Sequence, residues 1–148
     1  GMRAVVTRVR QASVTIDGHM QGEIQQGFLV LLGVGPDDGE AEAVWLANKI
    51  CAARVFEDEA GRMNLDLAAV GGELLVVSQF TLYADLKGRR PGFSHAARPE
   101  QAIPLYERFM AACRENGFVV RHGEFGADMQ VSSLNDGPVT LLYDTAVL

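Results

Sequence analysis

Residues 27–53, GFLVLLGVGPDDGEAEAVWLANKICAA, hold the two periodicities that decide the fold. Phe28-Leu29-Val30-Leu31-Leu32 is apolar at every position, the pattern of a central strand covered on both faces. Gly33-Val34-Gly35-Pro36 ends it. Asp37 followed by Glu40 has the spacing of a helix N-cap with its acidic partner. Ala43, Leu46, Ala47, Ile50 and Ala53 then recur at helical spacing and form one apolar face. A phosphate-binding reading of the glycine-rich segment is disfavoured, because the full glycine spacing is missing and Pro36 lacks an amide hydrogen.

Outward from this stretch, the N-terminal part reads as antiparallel strands joined by hairpins. Val5, Thr7 and Val9 are expected on one face and Arg8 and Arg10 on the other. Val14 and Ile16 lead into Asp17-Gly18, a dipeptide suited to a tight turn with positive φ, and residues 21–25 return. Beyond the helix, Arg54-Val55-Phe56 reads as a short strand. Glu57-Asp58-Glu59-Ala60-Gly61-Arg62 reads as a solvated polar turn before Met63-Asn64, since no His or Cys accompanies its acids. Glu73-Leu74-Leu75-Val76-Val77 is a strand that runs into Ser78-Gln79-Phe80-Thr81-Leu82-Tyr83. A second helix starts near Pro99, with Ala102, Leu105, Tyr106, Phe109 and Cys113 as its stripe and Asn116-Gly117 as its close. Pro104 is expected to kink it or move its start later. Strands are expected around 118–120, 129–131 and 139–143, with a Gly-Pro turn between the last two. The expected class is α+β: about eight antiparallel or mixed strands in a curled sheet or barrel with two main helices.

The chain has 148 residues and a 48% hydrophobic share, enough for one domain, read as residues 2–148, with Gly1 a remnant of tag removal. No stretch resembles a signal peptide or approaches the roughly 18 apolar residues of a membrane span, so the expected location is the cytoplasm, with no membrane partner. Cys51 and Cys113 lack a CxxC spacing and fall on buried helix faces, as small hydrophobes do. His19, His95 and His122 are dispersed, so no metal and no cofactor is expected. There is no GxSxG elbow, HExxH or local Cys/His pair. A net charge of −6 excludes a long grip on nucleic-acid phosphates and leaves only local contact. The one dense basic cluster is Lys87, Arg89, Arg90 and Arg98, with Phe93 and His95 between them. Such a run is ordinarily a solvated loop, but its position just after Ser78-Gln79-Phe80-Thr81 favours phosphate contact.

Ser78-Gln79-Phe80-Thr81 and Asn135-Asp136-Gly137-Pro138-Val139-Thr140 are each weak motifs alone. In this order, and with Arg8 through Val14, residues 123–130, Trp45-Leu46-Ala47, residues 54–59, Met63-Asn64 and Leu82-Tyr83-Ala84-Asp85, the chain closely resembles the D-aminoacyl-tRNA deacylase family over nearly its whole length. The resemblance implies a homodimer that hydrolyses the ester of D-aminoacyl-tRNA, and of mischarged glycyl-tRNA, at the tRNA 3′ end. It implies catalytic roles for Ser78, Gln79, Phe80 and Thr81, with backbone amides of Phe80 and Thr81 holding the oxyanion and the substrate's 2′-hydroxyl activating water. Gly137 and Pro138, joined by a cis peptide bond, form the chirality filter of the partner's pocket, and Lys87, Arg89 and Arg90 contact tRNA. Gly92 and Pro104 depart from the family pattern. The competing class is a nucleic-acid-binding module of the same fold without deacylase activity, against which the lack of a basic tail after the last strand counts.

Overall fold

The computed structural model describes residues 1–148. It is an α+β structure built on a long strand β1 (Arg3–Ile16), the hub of a six-stranded mixed sheet. On one edge β1 pairs antiparallel with β3 (Gly27–Gly33) through its first half and with β2 (His19–Ile24) through its second. On the other edge it pairs along its whole length with β8 (Gln130–Asp144). The run at 28–32 becomes β3, buried almost throughout, with antiparallel β1 on one side and parallel β6 (Glu73–Ser78) on the other. β7 (Val120–His122) pairs parallel with β6. Strand β2 then approaches β7, since a Cβ on Gly22 would lie 3.2 Å from His122 O, and the sheet nearly closes into a barrel. A small apolar cluster that includes Val9, Val14, Leu29, Leu75 and Val77 fills its inside.

The larger core lies between the outer face of the sheet and two helices, α1 (Glu40–Cys51) and α2 (Pro99–Glu115). Ala43, Leu46, Ala47 and Ile50 are buried on α1 as their spacing requires. Cys51 and Cys113 are free thiols, both buried in this core. Phe56 stacks on Phe28 with centroids 5.3 Å apart. Its short strand β4 (Phe56–Glu57) pairs with β5 (Met63–Leu65) across a turn in which Asp58 accepts from the amides of Ala60 and Arg62. No helix is long and apolar enough to cross a membrane.

Several expectations need correction. Asp37 does not cap α1: Gly39 holds the N-cap without a side-chain bond, and the neighbouring Asp38 turns inward to accept from Gly35 N–H at 2.6 Å. Pro104 neither moves nor divides α2, which runs unbroken from Pro99. Its missing amide would have bonded to Glu100 O in an exposed first turn, where water can take that carbonyl. β7 begins two residues later than expected. The end of α2 continues through Gly117 at φ +95°, with Gly117 N–H on Arg114 O and Phe118 N–H on Cys113 O, a Schellman closure that occupies those residues. β4 also starts later, at Phe56, since the carbonyl of Val55 accepts from the Arg8 guanidinium rather than from a ladder partner.

Two corrections bear on function. Arg8 faces away from Val9 as expected, yet it is 5% exposed, because it continues the buried alternation of Ala4 and Val6 on the core-facing side of β1. β1 also carries register breaks between Thr7 and Val9 and between Val9 and Gln11. The two last expected strands are one, β8, and Gly137-Pro138 lies inside it. Thr7 pairs with Thr140 and Val9 with Asn135, so Arg8 alone stands opposite residues 136–139, which bulge out of the ladder. The turn chemistry read from Asn135-Asp136-Gly137-Pro138 is thus spent on a bulge.

Candidate active site

The parallel pair β3–β6 continues one step beyond Ser78, where Gln79 N–H donates to Leu32 O at 2.8 Å. The chain then leaves the strand in a 3-10 turn, Phe80–Tyr83, rather than extending it. Tyr83 fixes this turn. Its ring is buried against Gly35, where an added Cβ would lie 2.8 Å from Oη, and the Arg3 guanidinium sits 4.4 Å from its centroid. Burial pushes the Tyr83 phenol well above its ordinary range, so it stays neutral. The glycine-rich segment therefore serves packing, and the amide of Gly35 is already committed to Asp38.

As the first residues of the turn, Phe80 and Thr81 have no intrahelical partner for their N–H groups, and no other protein acceptor meets them. Beside them opens a pocket of about 630 Å³. Ser78, Gln79 and Phe80 form one wall, Phe93 and the start of α2 at Arg98-Pro99 another, and the loop from Phe125 to Met129 a third. The N-terminal end of a 17-residue helix lends this rim positive potential. Thr81 is not on the lining: its hydroxyl accepts a hydrogen bond from the Gln79 side-chain amide. No Asp, Glu, His, Lys or Cys lines the pocket. The arrangement offers backbone donors and an apolar slot, with no side-chain base and no activated nucleophile.

Lys87, Arg89 and Arg90 are exposed on an adjoining loop and do not line the pocket, whereas Arg98 does. The loop is pinched shut by two backbone bonds, Asp85 N–H to Gly92 O at 2.7 Å and Gly92 N–H to Asp85 O at 2.9 Å. The Asp85 carboxylate accepts from Lys87 N–H at 3.0 Å and faces His95 Nε2 at 3.5 Å. The Lys87 amide first, then His95, holds this carboxyl below the usual range. No group of three or more His, Cys, Asp or Glu stands close enough together to hold a metal ion.

Gly137 and Pro138 sit apart from this pocket, on the bulge of β8, and the peptide bond between them is cis. Arg8 holds the bulge from beneath: Nε donates to Asp136 O at 2.8 Å and Nη1 to Val55 O at 2.6 Å. Asn135 Oδ1 accepts from Val139 N–H at 3.1 Å. Together these replace the ladder bonds that the bulge forgoes. β8 itself is exposed along most of its length, including Val131, Leu134 and Leu142, and pairs on one edge only.

Sequence reasoning missed Arg8, Phe125 and Met129 as site residues. An arginine inside a β-branched run is a usable signal, since a half-buried guanidinium needs acceptors. Phe125 and Met129 fall within residues 123–130, a segment that carries the resemblance, but nothing local to them points to the pocket.

The model of the D-Tyr-tRNA(Tyr) deacylase family matches residues 5–144. A relative from Thermus aquaticus named D-aminoacyl-tRNA deacylase is 56% identical over 146 residues, covering 98% of this chain and 96% of its own. Among solved structures, one titled c-Myc DNA Unwinding Element Binding Protein superposes with a TM-score of 0.91 at 41% identity, covering 97% of this chain and 98% of the other. Another, titled a probable eukaryotic D-amino acid tRNA deacylase, superposes at 0.82 with 16% identity, covering 96% of this chain and 98% of its own, a likeness of fold.

Proposed function

The chain belongs to the D-Tyr-tRNA(Tyr) deacylase family, and on that premise we propose that its pocket hydrolyses the ester of D-aminoacyl-tRNA and rejects the L form. It is a hydrolase of the D-aminoacyl-tRNA deacylase kind. The observation that carries the mechanism is the pair of unbonded amides at Phe80 and Thr81, beside a pocket whose lining contains no side-chain base.

In this reading the aminoacylated tRNA 3′ end enters the pocket beside Ser78 and Gln79. The two amides donate hydrogen bonds to the ester carbonyl oxygen as negative charge develops on it during the addition of water. Such donors are effective because they are held in place before the reaction, and loss of one typically costs about 10²–10³ in rate. The 2′-hydroxyl of the substrate's own terminal ribose activates the water by relaying its proton, accepting from water as it gives its own proton towards the departing 3′-oxygen. Bond balance is that of ester hydrolysis: water's oxygen joins the acyl carbon, the ribose oxygen leaves with a proton, and free D-amino acid and tRNA are released. Lys87, Arg89 and Arg90 contact tRNA phosphates, which reconciles a net charge of −6 with an RNA substrate.

The chain acts as a homodimer. The exposed apolar side chains of β8, Val131, Leu134 and Leu142, are the support for an interface there, and Gly137-Pro138 from one subunit enters the pocket of the other. Selection is by exclusion: these residues leave no room for an L side chain. Glycine has no side chain to exclude, so glycyl-tRNA is also cleaved. A DNA-binding role of the kind named for the 41% identical neighbour finds weaker support, because this chain's dense basic groups are confined to one loop and the start of α2.

The test is to incubate the protein with D-tyrosyl-tRNA and follow loss of the ester and release of D-tyrosine. First-order loss with intact tRNA is expected. No turnover overturns the reading.

A further inference from the structure

The Phe80 ring is 54% exposed, an unusual place for a phenylalanine whose own amide is one of the two free donors. Its aromatic partner is Phe93, itself 42% exposed, with centroids 5.3 Å apart and planes at 81°. This is the edge-to-face geometry that aromatic pairs favour. Phe93 immediately follows the Asp85–Gly92 pinch, so it is rigidly joined to the base of the loop that carries Lys87, Arg89 and Arg90. Four residues further on, Ala97 N–H donates to Val34 O at 2.9 Å and fixes that end of the segment as well. The ring of Phe93 therefore has a supported backbone on both sides, while the free amides begin a short turn.

We propose that Phe93 is a positioning residue: by clamping the Phe80 ring it fixes the peptide planes that present the Phe80 and Thr81 amides. This rests on the reading that those amides serve the ester carbonyl. The inference is separable from it, because the order of the amides is measurable without substrate. Phe93 touches no reacting atom in this account. Its effect is on the rate of the chemical step, whereas the loop cations act on tRNA affinity and its salt dependence.

The test compares wild type with Phe93→Ala, Phe93→Tyr and Lys87→Ala. Backbone 15N relaxation reports the Phe80 and Thr81 amides, and single-turnover cleavage of D-tyrosyl-tRNA with excess enzyme reports chemistry apart from binding. In Phe93→Ala the order parameters of these two amides should fall from the rigid value of roughly 0.85 towards 0.6 or below. The single-turnover rate should fall by about tenfold or more, with tRNA affinity within about twofold of wild type. Phe93→Tyr keeps the ring edge and should restore both. Lys87→Ala should weaken binding and flatten its salt dependence while leaving the order of the Phe80 and Thr81 amides at the wild-type value. Unchanged amide order in Phe93→Ala overturns the proposal, and so does a loss that appears wholly in affinity. If wild type fails to cleave the substrate, the deacylase reading falls and the relaxation result still decides the clamp.

Discussion

The guanidinium of Arg8 and the backbone of Asp136 are joined by an Nε–H to O bond of 2.8 Å, beneath the bulge that carries Gly137 and Pro138. A second arm, Nη1 to Val55 O at 2.6 Å, ties the same side chain to the segment before β4. One buried arginine thus sets the position of the bulge relative to the core. Removing it leaves two carbonyls without their charged donor. Arg8→Met should therefore destabilise the fold by about 2–4 kcal/mol. Arg8→Lys, which presents a single ammonium in place of the fork, should lose less stability but still reduce D-tyrosyl-tRNA turnover. Urea midpoints and turnover of the two variants check this. Wild-type values in both would show that Arg8 does not hold the bulge.

Gly137 has φ +139°, and a Cβ there would lie 2.8 Å from Val139 Cγ2 and 2.9 Å from Arg8 Nη2. Gly137→Ala should cost about 1–3 kcal/mol through crowding and backbone strain. Because the proposed filter projects into the partner's pocket, turnover of D-tyrosyl-tRNA and glycyl-tRNA should both fall in a variant that remains dimeric by light scattering. A monomeric wild type at micromolar concentration would contradict the cross-subunit arrangement directly.

Thr81→Ala keeps both backbone amides and removes only a hydroxyl that accepts from Gln79. Substantial deacylation should survive. D-tyrosyl-tRNA ending in 2′-deoxyadenosine, with the ester on the 3′-oxygen, should resist cleavage, since the water-activating group is then missing. A dead but folded Thr81→Ala, together with cleavage of the deoxy substrate, would make Thr81 the nucleophile.

Much of this was legible in the sequence, for a physical reason in each case. The run at 28–32 could only be a strand with cover on both faces, and Asp17-Gly18 does turn, with φ values of +51° and +78°. The stripe on α2 and its glycine closure follow from helical spacing and handedness. Long-range satisfaction of polar groups was not legible. Asp37 carries the right local spacing for a cap, yet its neighbour Asp38 has a better use against Gly35. Gly137-Pro138 reads locally as a turn, and only pairing with β1, remote in sequence, converts it into a bulge. The site suffers most from this limit: Ser78-Gln79 and residues 123–130 could be found as motifs, but that Phe125 to Met129 close the pocket as its third wall is decided by topology.

Asp38 gives a pH signature. Burial pushes its carboxyl above 3.8, outweighing the opposing bond from Gly35 N–H and the nearby N-terminal amine. A raised carboxyl favours its neutral form in the fold. Its contribution to stability is therefore fully present below pH 3.8 and is lost as pH rises through the higher folded value. Asp38→Asn keeps an acceptor for the Gly35 amide and removes the titration. The stability of wild type relative to this variant should decline over that interval and then level off. A difference that rises with pH would reverse the assignment.

The most direct measurement is the ratio of first-order rates for D- and L-tyrosyl-tRNA, taken with excess wild-type enzyme so that chemistry is observed apart from product release. Exclusion of the L side chain by a built-in clash predicts that the D ester is cleaved at least about 100-fold faster. Equal rates, or faster loss of the L ester, would contradict it.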